Sequence, residues 1–284
     1  MRYRRLGEPG HEIPVAYSAQ GLFDLRPLTD DIDGAFLSQV SPAFVGQELE
    51  QGRLPVMDPS EQLRVGAPIA RPGKVVCIGL NYRDHAAETG ASPPEEPVVF
   101  MKDPATVVGP YDNVRIPRGS TKTDWEVELG VVVGAEARYL TDVRAAAACI
   151  GGYLISHDVS ERAFQLERGG QWDKGKSCET FNPAGPDLVT PDEVTDVQRL
   201  KLALAVNGVL RQEGSTADMV FGVHHLVWYL SQFMVLHPGD LINTGTPAGV
   251  ALGTPGVPYL RAGDVVELRI SGLGTARQRC EAAP

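Results

Sequence analysis

Hydrophobic positions along this chain gather into short runs divided by turn residues, the mark of a β-rich protein. Arg2 to Leu6, Ile13 to Tyr17 and Leu22 to Leu25 are the first three runs, separated by Glu8-Pro9-Gly10 and Gln20-Gly21. They predict a small β-rich N-terminal domain over residues 1–70, closed by Arg71-Pro72-Gly73. From Lys74 the runs become denser, beginning with Val75-Val76-Cys77-Ile78, and predict a larger domain over residues 71–284. Within it, Lys201 to Val206 and Val209 to Arg211 flank Asn207-Gly208, whose positive φ angles suit a type I′ hairpin turn. Val220, Val223, Val227, Leu230 and Met234 form a helical stripe inside residues 217–236, stopping before Pro238-Gly239-Asp240. The expected fold class is mixed α+β, rich in strand.

One strand carries chemistry as well as pattern. In Asp124-Trp-Glu126-Val-Glu128-Leu-Gly130-Val-Val-Val133 the strict alternation puts Trp125, Val127 and Leu129 on one face and Asp124, Glu126 and Glu128 on the other. A row of carboxylates on an edge strand would merely face water. Beyond Glu128, however, the run is apolar on both faces, which marks a buried strand, and adjacent buried carboxylates repel unless a cation neutralises them. A hard divalent ion such as Mg²⁺ takes one or two carboxylates directly and leaves positions for water and substrate oxygens. Asp158, at the end of the buried run Gly152 to Ser156, is the candidate third ligand. A short helix beginning there would bring Asp158, Arg162 and Gln165 to one face, and Val159, Ala163 and Leu166 to a packing face.

A second short helix is predicted in Asn81-Tyr-Arg-Asp-His85-Ala-Ala-Glu88-Thr-Gly90, with Asn81 as cap and Gly90 as stop. His85 and Glu88 lie one turn apart, so Glu88 can orient His85 as a general base, although the same spacing also serves a plain surface pair. The following residues 91–97 are loop-like and suit a lid. His157 could stand behind Asp158, whereas His11, His224, His225 and His237 lack acidic partners at useful spacing and read as structural.

Composition narrows the classes. With 36 acidic against 26 basic residues the net charge is -10, and no basic stripe lies on a predicted helix, so nucleic acid is not an expected partner. No apolar run approaches the roughly 18 residues of a membrane span, and the charged start from Met1 to Arg5 is unlike an export signal, so a cytoplasmic location is expected. Cys77, Cys149, Cys178 and Cys280 lie far apart and read as reduced packing thiols rather than zinc ligands or nucleophiles. Gly170-Gln-Trp-Asp-Lys-Gly175-Lys176-Ser177 spells the phosphate-loop pattern, but no buried strand precedes it and the proline in Cys178-Glu-Thr-Phe-Asn-Pro183 opposes a following helix. Thr244-Gly-Thr246-Pro-Ala-Gly249-Val is a turn able to present amides and a hydroxyl to an anion.

Taken in order, N-Y-x-x-H around His85, F-M-K at Lys102, W-E-x-E-L-G around Glu126, H-D-V-S-E-R-x-x-Q from His157, K-S at Lys176 and T-G-T-P-A-G-V resemble the fumarylacetoacetate hydrolase family across residues 74–252. The stretches 119–130 and 171–177 look most like its branch that hydrolyses 2,4-diketo-3-deoxy sugar acids, although Glu179 stands where aspartate is expected in many relatives and Asn182 is atypical. The resemblance implies a β-sandwich roll, a homodimer, and Mg²⁺ or Mn²⁺ held by Glu126, Glu128 and Asp158. It also implies a water-activating pair, His85 and Glu88, with Lys176 and Gln165 steadying developing charge. Tyr82, Lys102, Arg162 and Thr246 would contact a small 2-oxo acid. The expected reaction is hydrolysis of a carbon–carbon bond in a 2,4-dioxo acid to pyruvate and a carboxylic acid. Oxaloacetate decarboxylation, isomerisation or hydration of 2-oxo-enoates, and simple binding of a metal or sugar acid are the alternatives.

Overall fold

The computed structural model describes residues 1–18, 20–58, 62–88, 90 and 92–284. Its organising element is the strand Val127–Val133, every residue of which is buried. Successive side chains of a strand point to opposite faces, so this run feeds two cores at once. Val127, Leu129, Val131 and Val133 join one cluster with Leu202, Leu204, Val266 and Leu268. Val132 joins the other, with Leu154, Leu188 and Leu241.

A ten-stranded mixed sheet runs in the order Gly21–Asp24, Ile13–Ser18, Arg2–Leu6, Asn182–Val189, Ile150–His157, Val127–Val133, Leu241–Asn243, Val75–Gly79 and Val98–Lys102, with Val107–Val108 pairing off this path onto Asn182–Val189. A five-stranded sheet, in the order Val209–Ser215, Lys201–Val206, Val265–Ile270, Gly274–Ala282 and Val114–Ile116, packs against it. The strand-rich mixed class expected from the run pattern, and the sandwich implied by the resemblance, are therefore what form. The hairpin at Asn207-Gly208 has φ angles of 51° and 77° there, and Val206 pairs with Val209.

Several local expectations are corrected. The first seventy residues hold not only three strands but also the helices Gly34–Gln39 and Pro42–Glu50, capped by the side chains of Asp33 and Ser41. Their Phe36, Val45 and Leu49 cover the second core. This segment is also hydrogen-bonded into the large sheet, because Arg2 and Tyr3 pair with Val189 and Leu188. The helix expected within 217–236 is shortened to Val223–Leu230, behind a 3₁₀ turn at Thr216–Asp218. Asn81 is the reason: its carbonyl accepts from Val220 N at 2.8 Å and its Oδ1 from Phe221 N at 2.9 Å, drawing those amides out of a helical ladder. That bond likewise occupies the side-chain oxygen expected to cap Arg83–Glu88. Asp158 does not begin a helix; it lies in extended chain, and the helix Arg162–Leu166 starts behind a Glu161 cap.

Candidate functional site

Strand register assembles the acidic cluster. Val127–Val133 runs antiparallel to Ile150–His157 with Val127 opposite His157 and Glu128 opposite Ser156, so the start of one strand meets the end of the other. Asp158 N donates to the Glu126 carbonyl at 3.0 Å. Oxygens of Glu126, Glu128 and Asp158, all buried, consequently lie within 4.8 Å of one another.

The charges around them are unevenly paired. Lys176 Nζ donates to Glu126 Oε2 at 2.6 Å and to Asp158 Oδ2 at 2.9 Å. Lys102 Nζ donates to Asp158 Oδ1 at 2.5 Å and to the Val159 carbonyl at 3.0 Å. Arg162 reaches Glu126 Oε1 at 2.7 Å, Asp124 Oδ2 at 2.9 Å and Gln165 Oε1 at 3.1 Å. Burial alone would raise the Glu126 carboxyl, but the charges of Lys176 and Arg162 hold it far below the usual range. Against burial, Asp158 and Glu126 keep Lys176 charged, and Glu126 and Asp124 keep Arg162 charged. Glu128 accepts from Gly245 N at 2.8 Å, and among the described residues no lysine or arginine pairs with it. Burial, then Asp158 and Glu126, push its carboxyl well above the usual range. Three converging carboxyl groups, one lacking a cationic partner, fit a hard divalent cation.

Across the same cavity, of about 490 Å³, stands His85. It lies on the helix Arg83–Glu88, and its Nδ1 faces Glu88 Oε1 at 2.9 Å. Glu88 is fixed in turn by Gly249 N, 2.9 Å from Oε2. The Gly-rich turn therefore holds both halves of the site, Gly245 on Glu128 and Gly249 on Glu88. Gly249 has φ of 109°, and a Cβ there would stand 2.0 Å from the Arg211 carbonyl oxygen, so only glycine fits.

The other expected residues are distributed unequally. Gln165, Arg162, Lys176 and Thr246 line the cavity. The Thr246 hydroxyl is already engaged, donating to the Val127 carbonyl at 2.9 Å and accepting from Gln212 at 2.8 Å. Lys102 is buried beneath Asp158 rather than in the cavity wall, and Tyr82 is buried behind the site, its hydroxyl without a partner among the described residues. Val159, Ala163 and Leu166 share no packing face, since Val159 precedes the helix and Leu166 lines the cavity. Of the loop expected to act as a lid, Ala91 lies outside the described residues. Glu179 pairs with Arg115, and Asn182 bonds Ser156 Oγ; neither borders the cavity. His157 is wholly buried behind Asp158, with Nδ1 3.0 Å from Gln278.

Residue patterns missed two parts of the site. Asp124 is an anchor: besides Arg162 it accepts from Ala251 N at 2.8 Å and Leu252 N at 3.0 Å, and only its place in the acidic alternation hinted at this. Phe100, Leu166, Trp172 and Leu252 form an apolar wall. Trp172 lies inside the phosphate-loop look-alike, whose residues form only the four-residue helix Asp173–Lys176, with no phosphate cradle.

Comparison with known proteins agrees with this construction. Residues 74–281 match the family model described as fumarylacetoacetate (FAA) hydrolase C-terminal. A protein of Burkholderia multivorans, provisionally named a hydrolase, is 49% identical over 285 residues, covering 100% of both chains. The structure of a fumarylacetoacetate hydrolase from psychrophilic Exiguobacterium antarcticum superposes with a TM-score of 0.87 at 32% identity, over 100% of both chains. A 5-carboxymethyl-2-hydroxymuconate delta-isomerase from Mycobacterium smegmatis gives 0.78 at 30%, again over 100% of both. A maleylpyruvate hydrolase from Sphingobium sp. SYK-6, solved with manganese(II) and pyruvate, shares the fold at a TM-score of 0.81 and 24% identity over 100% of both chains. Matched in sequence over its larger part and in fold from end to end, the chain belongs to the fumarylacetoacetate hydrolase family, and is an enzyme of that family.

Proposed function

We propose that this enzyme hydrolyses the C3–C4 bond of a 2,4-dioxo acid, releasing pyruvate and a carboxylic acid. The observation that carries the reading is the pairing, across one cavity, of the Glu126, Glu128 and Asp158 cluster with the dyad of buried His85 and half-buried Glu88. Binding alone needs no general base.

Glu126, Glu128 and Asp158 would hold a divalent ion, Mg²⁺ or Mn²⁺, which when bound supplies a Lewis acid for the negative charge that cleavage leaves on the pyruvate side. Glu88 accepts the Nδ1 hydrogen of His85, so the base nitrogen is Nε2. His85 Nε2 takes a proton from water as the water oxygen bonds to C4. Gln165, whose Oε1 is occupied by Arg162, offers its Nε2 hydrogens to the oxygen on C4 as that oxygen becomes negative. Breaking the C3–C4 bond leaves its electron pair on C3, and the proton held by His85 is returned there, giving pyruvate. The hydroxyl from water stays on the acyl carbon, giving the acid.

The isomerase similarity supports a second reading, proton transfer between carbons of a 2-oxo-enoate, which uses the base but consumes no water. Pyruvate assays on an acylpyruvate with Mg²⁺, with Mn²⁺ and after chelation decide between them. Metal-dependent pyruvate release is expected. A metal-dependent change in the ultraviolet spectrum of a 2-oxo-enoate, with no pyruvate from any acylpyruvate, would establish the isomerase instead.

A further inference from the structure

The cavity lining is of two chemical kinds. In and behind the acidic part, four carboxyl groups, Asp124, Glu126, Glu128 and Asp158, face three cations, Lys102, Arg162 and Lys176, and each cation is already bonded to at least one of them. With a divalent ion bound and all four carboxyl groups ionised around it, the cluster would carry a single positive excess. One substrate carboxylate balances that, and nothing remains for a second.

Apart from these groups and the polar residues already described, the lining side chains are Ile78, Leu80, Phe100, Leu166, Trp172 and Leu252, which among the described residues add no charge and have the Trp172 indole as their one polar group. The cation beside them, Lys176, stands 4.9 Å from the Phe100 ring centre and is already bonded to Glu126 and Asp158. The aromatic part is fixed in place. Phe100 and Trp172 meet edge to face with centroids 5.3 Å apart, and Trp172 packs so closely on Gly79 that a Cβ there would stand 2.8 Å from its ring. Residues 89–97, which continue from the His85 helix, contain two glutamates and no lysine or arginine. Neighbouring basic side chains are engaged elsewhere: Arg83 donates to the Asp218 and Met219 carbonyls, Arg168 lies over the Phe164 ring at 4.1 Å, and Lys174 bonds the Arg168 carbonyl at 2.9 Å.

We infer that the acyl substituent of the substrate is uncharged and apolar, an aryl or alkyl group seated against Phe100 and Trp172, and not a second carboxylate or a polyhydroxylated chain. This inference rests on the proposed 2,4-dioxo acid chemistry. Its physical basis is that a buried carboxylate or a row of hydroxyls without partners loses its hydration, whereas an apolar group gains by leaving water. It moves the substrate away from the sugar acids that the motif resemblance implies.

The test uses three 2,4-dioxo acids differing only beyond C4: one ending in phenyl, one in a second carboxylate, one in a short polyol. Each is assayed for pyruvate release, and each is titrated calorimetrically into the Mg²⁺-loaded protein. The phenyl compound is expected to exceed both others at least about tenfold in kcat/KM and in affinity. Leu166→Arg, at a position 45% exposed, is expected to lower the phenyl value and raise that of the dicarboxylate. Equal or reversed preference in wild-type enzyme, with pyruvate still released, overturns the inference and leaves the hydrolase reading standing. If no compound yields pyruvate, the hydrolase reading fails and the calorimetric order alone decides: tighter phenyl binding upholds the apolar pocket, and equal, reversed or absent binding refutes it.

Discussion

At the scale of single residues, His157 shows how closely the site is tied to the core behind it. It is wholly buried, and burial pushes its imidazole down to about 4, against the weaker upward pull of its hydrogen bond with Gln278. The unfolded chain would take up a proton on this side chain below its ordinary pKa of about 6.5, while the folded chain refuses it until about 4. The neutral form is thus the one folding selects, and its contribution is complete above about 6.5 and lost as pH falls toward 4. Denaturant titrations at pH 7 and pH 5 are expected to show a loss on the order of 2 kcal/mol in wild type that is absent from His157→Asn. Identical pH slopes in the two proteins would show that His157 does not titrate in this way. Residue type was enough to nominate the triad, because carboxylates alternating into an apolar strand are costly without a cation. It was not enough to place Lys102 or Tyr82, whose chemistry suits a ligand but which lie outside the cavity lining, or to foresee that the Thr246 hydroxyl in that lining is already bonded to Val127 and Gln212.

At the scale of elements, the site depends on how close two short helices come. Gly175, in Asp173–Lys176, packs against Arg162–Leu166 so tightly that a Cβ would stand 2.4 Å from the Glu161 carbonyl oxygen and 2.6 Å from Gln165 Cβ. Backbone at that distance cannot yield as a flexible side chain would. Gly175→Ala is expected to cost about 1–3 kcal/mol in stability and to lower kcat more than it raises KM, because it displaces Lys176 and Gln165 together. Thermal unfolding and steady-state kinetics read the two effects separately, and an unchanged protein by both would contradict the packing argument. Elements defined by local signals were legible: Arg2–Leu6 from its flanking turns, and the Asn207-Gly208 hairpin from its backbone demand. Elements defined by outside partners were not. The helix Val223–Leu230 is cut short by bonds to Asn81, some 140 positions away, and periodicity carries no record of such a bond.

At the scale of the whole molecule, the N-terminal segment functions as the second wall of the large sheet. Tyr3, Phe36, Val45, Leu49 and Ile69 pack on Leu154, Leu188, Val132 and Leu241, and Arg2–Leu6 extends the sheet through Asn182–Val189. Each large apolar side chain uncovered costs about 1.5–3 kcal/mol. A chain beginning at Arg71 is therefore expected to be insoluble or to lack a cooperative melt, and a folded, active truncation would show instead that residues 71–284 form an independent domain. No described helix is long and apolar enough to cross a membrane. The strand-rich class, the acidic strand with its candidate ion, and the spacing of His85 and Glu88 were all readable from the residues, because each follows from period, turn chemistry or charge within a few positions. Which cations neutralise which carboxylates, which candidates lie outside the cavity, and that part of its wall is apolar became visible in the folded chain alone. Those outcomes depend on strand register and on contacts between residues far apart in the chain, where burial rather than residue type sets what a side chain can do.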